Sequence, residues 1–496
     1  MNIRGLDLSN AVAEKQLITA ARMSIVLILF ARLNFDSMKS TQKNLLFASA
    51  SELAKRIRQK KISARELLEL HLSHLEETNP RLNAVVILGV DAARARAKAA
   101  DEALARGELW GPLHGVPFTL KDAHATAGLR TTMGLPALAK QVPREDGTVA
   151  ARLKNAGGIL FGKTNIAMGL ADFQSNNPVF GQTNNPWNPE RTAGGSSGGA
   201  AAAVAAGLTP FDVGTDLSAS IRIPAHFCGV FGFKPTENQV PNTGIFPTPH
   251  PIARALRIML SIGPLARFVE DLDVIFNLIR GPDGQDSEVR PIANLKSDLD
   301  DLRIAFSTTF PGLPIASDIT AAVRSAASRL SDAGFIVEEA ALPKMKYPEV
   351  LASAGELIGA MLGAFEKQDG AKRFTAGDYF TALQRRDETI AAWEEFFTRW
   401  DVLLAPSSMT TAFPHTDPGT PLIVNRKEVN YFAVSAHGTM FNYTGQPAVC
   451  IPAGMDRAGL PIGLQLVSRR WSDRRLLKMA HEIAPHIGEF KRPPSV

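Results

Sequence analysis

Cysteine is almost missing from this chain: two residues, Cys228 and Cys450, among 496. That excludes a disulfide framework and any zinc or iron–sulfur site built on cysteines. Histidine is also sparse, ten residues with no HExxH pair, so neither a metal centre nor another cofactor is expected. Charge of one sign hardly dominates. Lys plus Arg number 54 against 49 Asp plus Glu, a formal net charge of +5. The excess is scattered and no basic cluster is interleaved with aromatics, so no nucleic-acid partner is expected. Long apolar runs are lacking too. Met23–Ala31 is apolar and bracketed by Arg22 and Arg32, far short of the roughly 20 residues of a stable membrane span. Asp7 and Glu14 lie upstream and no A-x-A cleavage pattern follows, which counts against a secretory signal. Residues 1–48 therefore read as a weakly ordered helical extension, with Met38 as an alternative start. Core material is plentiful, at 45% apolar and 21% charged residues. That is the balance of a folded protein, here expected to be a cytoplasmic enzyme.

At roughly 150 residues per domain the length suggests about three domains, but no Gly/Ser- or Pro-rich linker and no repeat divides the chain. Ser63-Ala-Arg-Glu66 is a capping box that opens a helix, closed by Asn79-Pro80. Gly115–Leu120 reads as a short strand ending at Lys121. A helix over Thr148–Ala156 passes through Gly157 to a strand at Ile159–Phe161. Further strands are expected at Phe211–Val213, Leu302–Phe306, Phe335–Val337, Val402–Ala405, Ala448–Pro452 and Pro461–Val467. Helices at Ser317–Ala333 and Ser472–Ile483 alternate with them. This predicts an α/β fold: one large domain over 49–496 with a central, mainly parallel or mixed sheet covered by helices on both faces. The stretch 344–431 reads as mostly helical, with Phe380, Leu383, Ile390, Trp393, Phe397 and Trp400 in a stripe packing onto the sheet. Such an insertion suits the wall of a pocket, as does the loop Gly244–Pro251.

Three motifs compete for the chemistry. Gly157-x4-Gly162-Lys163-Thr164 matches a phosphate loop literally. That motif needs a strand before its glycines and a helix after its lysine, so that N–H groups converge on phosphate. Here the order is reversed, and Gly157 reads as a helix C-cap. Gly194-Gly-Ser196-Ser197-Gly198-Gly199 satisfies G-x-S-x-G twice, the elbow of an α/β-hydrolase. An elbow requires a strand leading into the serine, yet the turn-forming run Asn184–Ala193 precedes it. The late histidines His481 and His486 fall on or just after the last helix, where solvated histidines are ordinary.

The third reading joins the glycine–serine run to the next segment: Gly214-Thr-Asp216-Leu217-Ser218-Ala219-Ser220-Ile-Arg222-Ile-Pro224, then Cys228-Gly and Gly232-Phe-Lys234-Pro235. Upstream stand Gly115-Val-Pro117-Phe-Thr-Leu-Lys121-Asp122 and Lys163-Thr164-Asn165. Downstream stand Gly263-Pro-Leu-Ala-Arg267 and Thr444-Gly-Gln-Pro447. Together these closely resemble the amidase signature family from about Ser51 to Ala484, with the core signature over 115–236. The resemblance implies a Ser–cis-Ser–Lys triad. The nucleophile, just before Ile-Arg, is Ser220; the bridging serine is Ser196; the lysine ending the GVP strand is Lys121.

The chemistry is consistent with those roles. A serine hydroxyl needs a base within hydrogen-bond reach, and a lysine desolvated at a strand end is neutral enough to serve. Taken alone, Lys121 reads as an ion-pair partner of Asp122 or Asp216, and the serines as caps. The three in matching context favour catalysis. Ser220 is expected to begin a helix, since Pro224 is tolerated only in a first turn. The resemblance also places an oxyanion hole on the backbone N–H groups of Leu217, Ser218, Ala219 and Ser220. Family members commonly carry two glycines before the nucleophile, where this chain has Ser218-Ala219. If either position needs a positive φ, the backbone there is strained. Arg222 and Asp216 are expected to pair and orient the loop, with Cys228 and Cys450 in the core.

The resulting expectation is a hydrolase of small, apolar or aryl amides, with reach to esters or carbamates. Its partners would be the small-molecule amide and at most a second copy of the chain. A second class within the family, the glutamine-hydrolysing subunit of a tRNA-dependent amidotransferase, is the alternative. Those relatives often carry Asp-Gln before Ile-Gly-Pro, and Leu260-Ser261 stands there. An α/β-hydrolase-type esterase or a catalytically weak relative remains behind both.

Overall fold

The residues that bring Lys121 to the serines are apolar strand formers. Pro117–Lys121 is buried along its whole length and pairs in parallel with Ile159–Thr164, which pairs antiparallel with Val85–Leu88. This computed structural model describes residues 44–245, 257–291, 302–363 and 374–494. The chain divides into two compact units, Met1–Ala48 and Ser49–Val496, and the second carries every element named below. Residues 1–43 of the extension and all but the first two residues of the Gly244–Pro251 loop lie outside the described residues.

A second sheet of eight strands forms the centre. Its order is Ile336–Glu339, Arg303–Phe306, Val402–Pro406, Pro461–Val467, Ala448–Met455, Phe231–Lys234, Ser261–Ala266 and Phe211–Asp216. The two pairings at its Ile336 end are parallel, and the remaining five are antiparallel. The sheet is therefore mixed, as expected, but weighted toward antiparallel pairing. Helices flank it. Arg222–Cys228 packs on Pro461–Val467, Val269–Ile279 on Ser261–Ala266, and Ser317–Asp332 on Val402–Pro406.

Helix starts follow their caps. Ser63 Oγ accepts the Glu66 N–H at 3.1 Å and the Glu66 carboxylate accepts the Ser63 N–H at 2.8 Å, opening Ala64–Leu82. This helix runs through Pro80 rather than closing before it. The helix Gly198–Ala205 is apolar on every side, and each of its residues is buried, as such a composition requires. The stretch 344–431 is helical only in part. Tyr347–Gly363 and Ala376–Phe396 are helices, but Val402–Pro406 is a central strand and Leu422–Val424 pairs with Lys427–Val429 as a hairpin. Among the described residues no helix is long and apolar enough to cross a membrane.

Candidate active site

The two sheets meet where Pro117–Lys121 lies beside Phe211–Asp216. Phe118 stacks on Phe211 with centroids 5.2 Å apart, and Thr119 Oγ1 donates to Asp212 Oδ2 at 2.7 Å. This seam sets the ends of both strands side by side and buries Lys121 completely. The lysine Nζ contacts Ser196 Oγ at 2.7 Å, Ser197 Oγ at 2.8 Å and Thr215 Oγ1 at 2.8 Å. Among the described residues no carboxylate lies in ion-pair contact with it: Asp122 faces Lys163 at 3.8 Å instead. Burial pulls Lys121 down to about 7, with Asp216 and Asp212 opposing the shift. A neutral amine has two N–H donors and one lone pair. Three hydroxyl contacts suit it if one hydroxyl donates, and the Ser196 O–H is free to do so. The Ser197 hydroxyl is instead directed at the Thr215 carbonyl at 3.3 Å.

Ser196 follows a cis peptide bond from Gly195. Gly195 is required here by close approach, because a Cβ would meet the carbonyl oxygen of Asp172 at 2.6 Å. The Ser197 N–H donates to the Ser220 carbonyl at 3.2 Å, tying the loop after Gly195 to the one after Asp216. Ser196, Ser220 and Thr215 thus line one cavity of about 740 Å³, and Lys121 backs it. The helix expected to begin at Ser220 starts two residues later, at Arg222, with Pro224 in its first turn.

The loop Leu217–Ile221 is held from outside. The Ala219 N–H donates to Asn442 Oδ1 at 3.0 Å and the Ile221 N–H to Asp216 Oδ2 at 3.1 Å. Of the four N–H groups expected to form an oxyanion hole, Ala219's is therefore engaged by Asn442. Ala219 has φ +64°, a conformation that costs a non-glycine residue about 1–2 kcal/mol. Its methyl group fills space left by Gly438 and joins an apolar cluster with Phe227, Met409 and Tyr431. Ala219→Gly is expected to raise stability by about 1 kcal/mol, read from the urea midpoint. A lowered midpoint would show that the buried methyl group outweighs the strain.

Sequence reasoning missed Ser197, Thr215 and Asn442. The first two were within view, since Ser197 adjoins Ser196 and Thr215 is the penultimate residue of the strand before the loop. Asn442 acts across more than 200 residues and carries no local signal. The phosphate-loop reading fails in the structure as the element order predicts. Lys163 is fully buried and donates to the His124 carbonyl and Thr131 Oγ1, with no room for phosphate. Among the described residues no three His, Cys, Asp or Glu side chains gather as a metal site. The helix Tyr347–Gly363 does wall the cavity, through Leu351, Gly355 and Ile358.

A desolvated lysine, hydroxyls in contact with it and a cavity beside an N–H-rich loop are the equipment of an amide C–N hydrolase. The Amidase family model matches residues 66–355 and 352–477, and the chain belongs to that family, the amidase signature enzymes. The A subunit of glutamyl-tRNA(Gln) amidotransferase from Carboxydothermus hydrogenoformans is 32% identical, covering 91% of this chain and 100% of the relative. The protein of the same description from Synechococcus sp. (strain CC9605) is 33% identical over 87% of this chain and 95% of its own length. Among solved structures, a bacterial aryl acylamidase of the amidase signature family superposes with a TM-score of 0.78. It is 26% identical and covers 91% of this chain and 97% of its own.

Two expectations are corrected by these relatives. The apolar residues near the site point to a small apolar or aryl amide as substrate. The extended similarity is instead to the A subunit of glutamyl-tRNA(Gln) amidotransferase. One dipeptide, Leu260-Ser261, carries less weight than sequence shared end to end. The second correction concerns partners. The expectation of a small molecule, no nucleic acid and at most a homodimer gives way, because these relatives are named as one subunit of an enzyme acting on a tRNA. Composition could not show this. One subunit can serve a tRNA-dependent enzyme without carrying the phosphate-binding face itself.

Proposed function

We propose that this chain is the amide-hydrolysing subunit of a glutamine-dependent enzyme that amidates glutamyl-tRNA(Gln), working with partner subunits. The observation that carries this reading is the identity of about one third along nearly the full length of both chains. In the proposed reaction Ser220 Oγ attacks the side-chain carbonyl of glutamine while its proton passes to Ser196, whose own proton passes to Lys121 Nζ. The N–H groups of Leu217, Ser218 and Ser220 receive the developing oxyanion. The C–N bond then breaks as the relay returns a proton to the leaving nitrogen, and ammonia departs. Water cleaves the resulting acyl ester by the same relay, releasing glutamate. The contact of 2.7 Å between Lys121 and Ser196 supports the second transfer, from Ser196 to the lysine. The test is ammonia release from L-glutamine by the chain alone and co-expressed with the other amidotransferase subunits of its own organism. Stimulated release and formation of glutaminyl-tRNA are expected. No turnover of glutamine in either setting, with intact folding, overturns the reading.

A further inference from the structure

The cavity beside Ser220 is largely apolar, yet its charge is one-sided. Among its described lining residues Asp172 is the one acid, and no Lys, Arg or His joins it. Asp172 is placed by the same close approach that demands Gly195, so its loop is packed directly on the Ser196 loop. Its carboxylate accepts from the Tyr431 hydroxyl at 2.6 Å. Burial pushes this carboxyl up, and the groups that oppose the shift are the Tyr431 hydroxyl and the N–H groups of Phe173 and Gln174. No cation is among them. Holding Tyr431 does not by itself call for a carboxylate, because a neutral amide oxygen would accept the same hydrogen bond. A part-buried carboxylate with an apolar wall and no counter-charge is costly, and a ligand that brings an ammonium group removes the cost.

We propose that Asp172 is a specificity-determining residue that pairs with a substrate ammonium, so that the cavity selects amides bearing a positively charged amino group. This assignment rests on the amidotransferase reading and deepens it, because the α-ammonium of glutamine is such a group. Among the described lining residues the one formal charge is that of Asp172. The pairing does not depend on the partner subunits.

The test uses the full chain and measures ammonia release from L-glutamine, 4-aminobutanamide and butanamide. Wild-type protein is expected to prefer 4-aminobutanamide over the neutral butanamide in kcat/KM by about tenfold or more, the scale of a charge-assisted hydrogen bond. Asp172→Asn, which retains an acceptor for Tyr431, is expected to erase most of that preference through KM. An equal loss on charged and neutral amides would show a structural role and overturn the proposal. Wild-type protein without the preference, or turning over neither amine-bearing amide, overturns it without any variant. If 4-aminobutanamide is cleaved with an Asp172-dependent preference while glutamine is refused, the amidotransferase reading fails and the assignment of Asp172 stands.

Discussion

Ser220→Ala and Lys121→Ala are each expected to lower kcat/KM for amide hydrolysis by at least about a thousandfold, with folding preserved. In the proposed relay Ser220 is the nucleophile, and the other serines beside Ser196 among the described residues lining the cavity, Ser218 and Ser435, bond to each other rather than to Lys121. Lys121 has no substitute base, since no histidine is among the described residues lining the cavity. The members of such a relay act as one unit, so the double variant is expected to be little worse than either single one. A pH profile separates the base from a merely structural lysine. Lys121 is held near 7, and the neutral amine is the form that accepts a proton. Wild-type kcat/KM is therefore expected to rise as pH increases through about 7 and then level off. A flat profile from pH 6 to 9, with chemistry limiting, would remove Lys121 from the role of base. Residual turnover of Ser220→Ala near the wild-type rate would refute the proposed acyl-enzyme.

The second large effect is on stability. Arg222 and Asp216 are both fully buried. The guanidinium donates to both carboxylate oxygens at 3.1 Å, to Asn442 Oδ1 at 2.6 Å and to Gln465 Oε1 at 2.8 Å. Burial alone would raise the Asp216 carboxyl, but the Arg222 charge beside it prevails and holds it below the usual range. Arg222→Met leaves that carboxylate buried with only neutral donors, and a loss of about 3–5 kcal/mol is expected in urea unfolding. Asp216→Leu combined with Arg222→Met is expected to cost less than the sum of the two single changes, because no unpaired charge remains. The Arg222 variant should also lose activity, since Asp216 and Asn442 hold the N–H groups on either side of Ser220. Loss of less than about 1 kcal/mol would show that water or a neighbouring group replaces the guanidinium.

How much of this was legible in the sequence varies with the range of the interaction. The strand ending at Lys121 announced itself through Val116, Phe118 and Leu120, all buried in the fold. The capping box at Ser63 fixed a helix start by local chemistry alone. The pairing of Asp216 with Arg222 was also accessible, because a turn and the first turn of a helix separate them. The hairpin at Leu422–Val429 was not, since its strands are three residues each and too short for a period to register. The antiparallel weighting of the sheet was equally hidden, because pairing direction depends on connections rather than on strand composition. Asp172 gave no signal, as nothing in its neighbourhood shows that it faces a cavity.

Ala219 also decides the order in which substitutions can accumulate around the nucleophile. It occupies the space that a side chain at position 438 would need, so the two positions share a single methyl-sized volume. Gly438→Ala is blocked in the present background and becomes admissible once Ala219→Gly has been made. A library that varies position 438 alone would score it as intolerant, and only variation paired with position 219 would find the route between the two backgrounds.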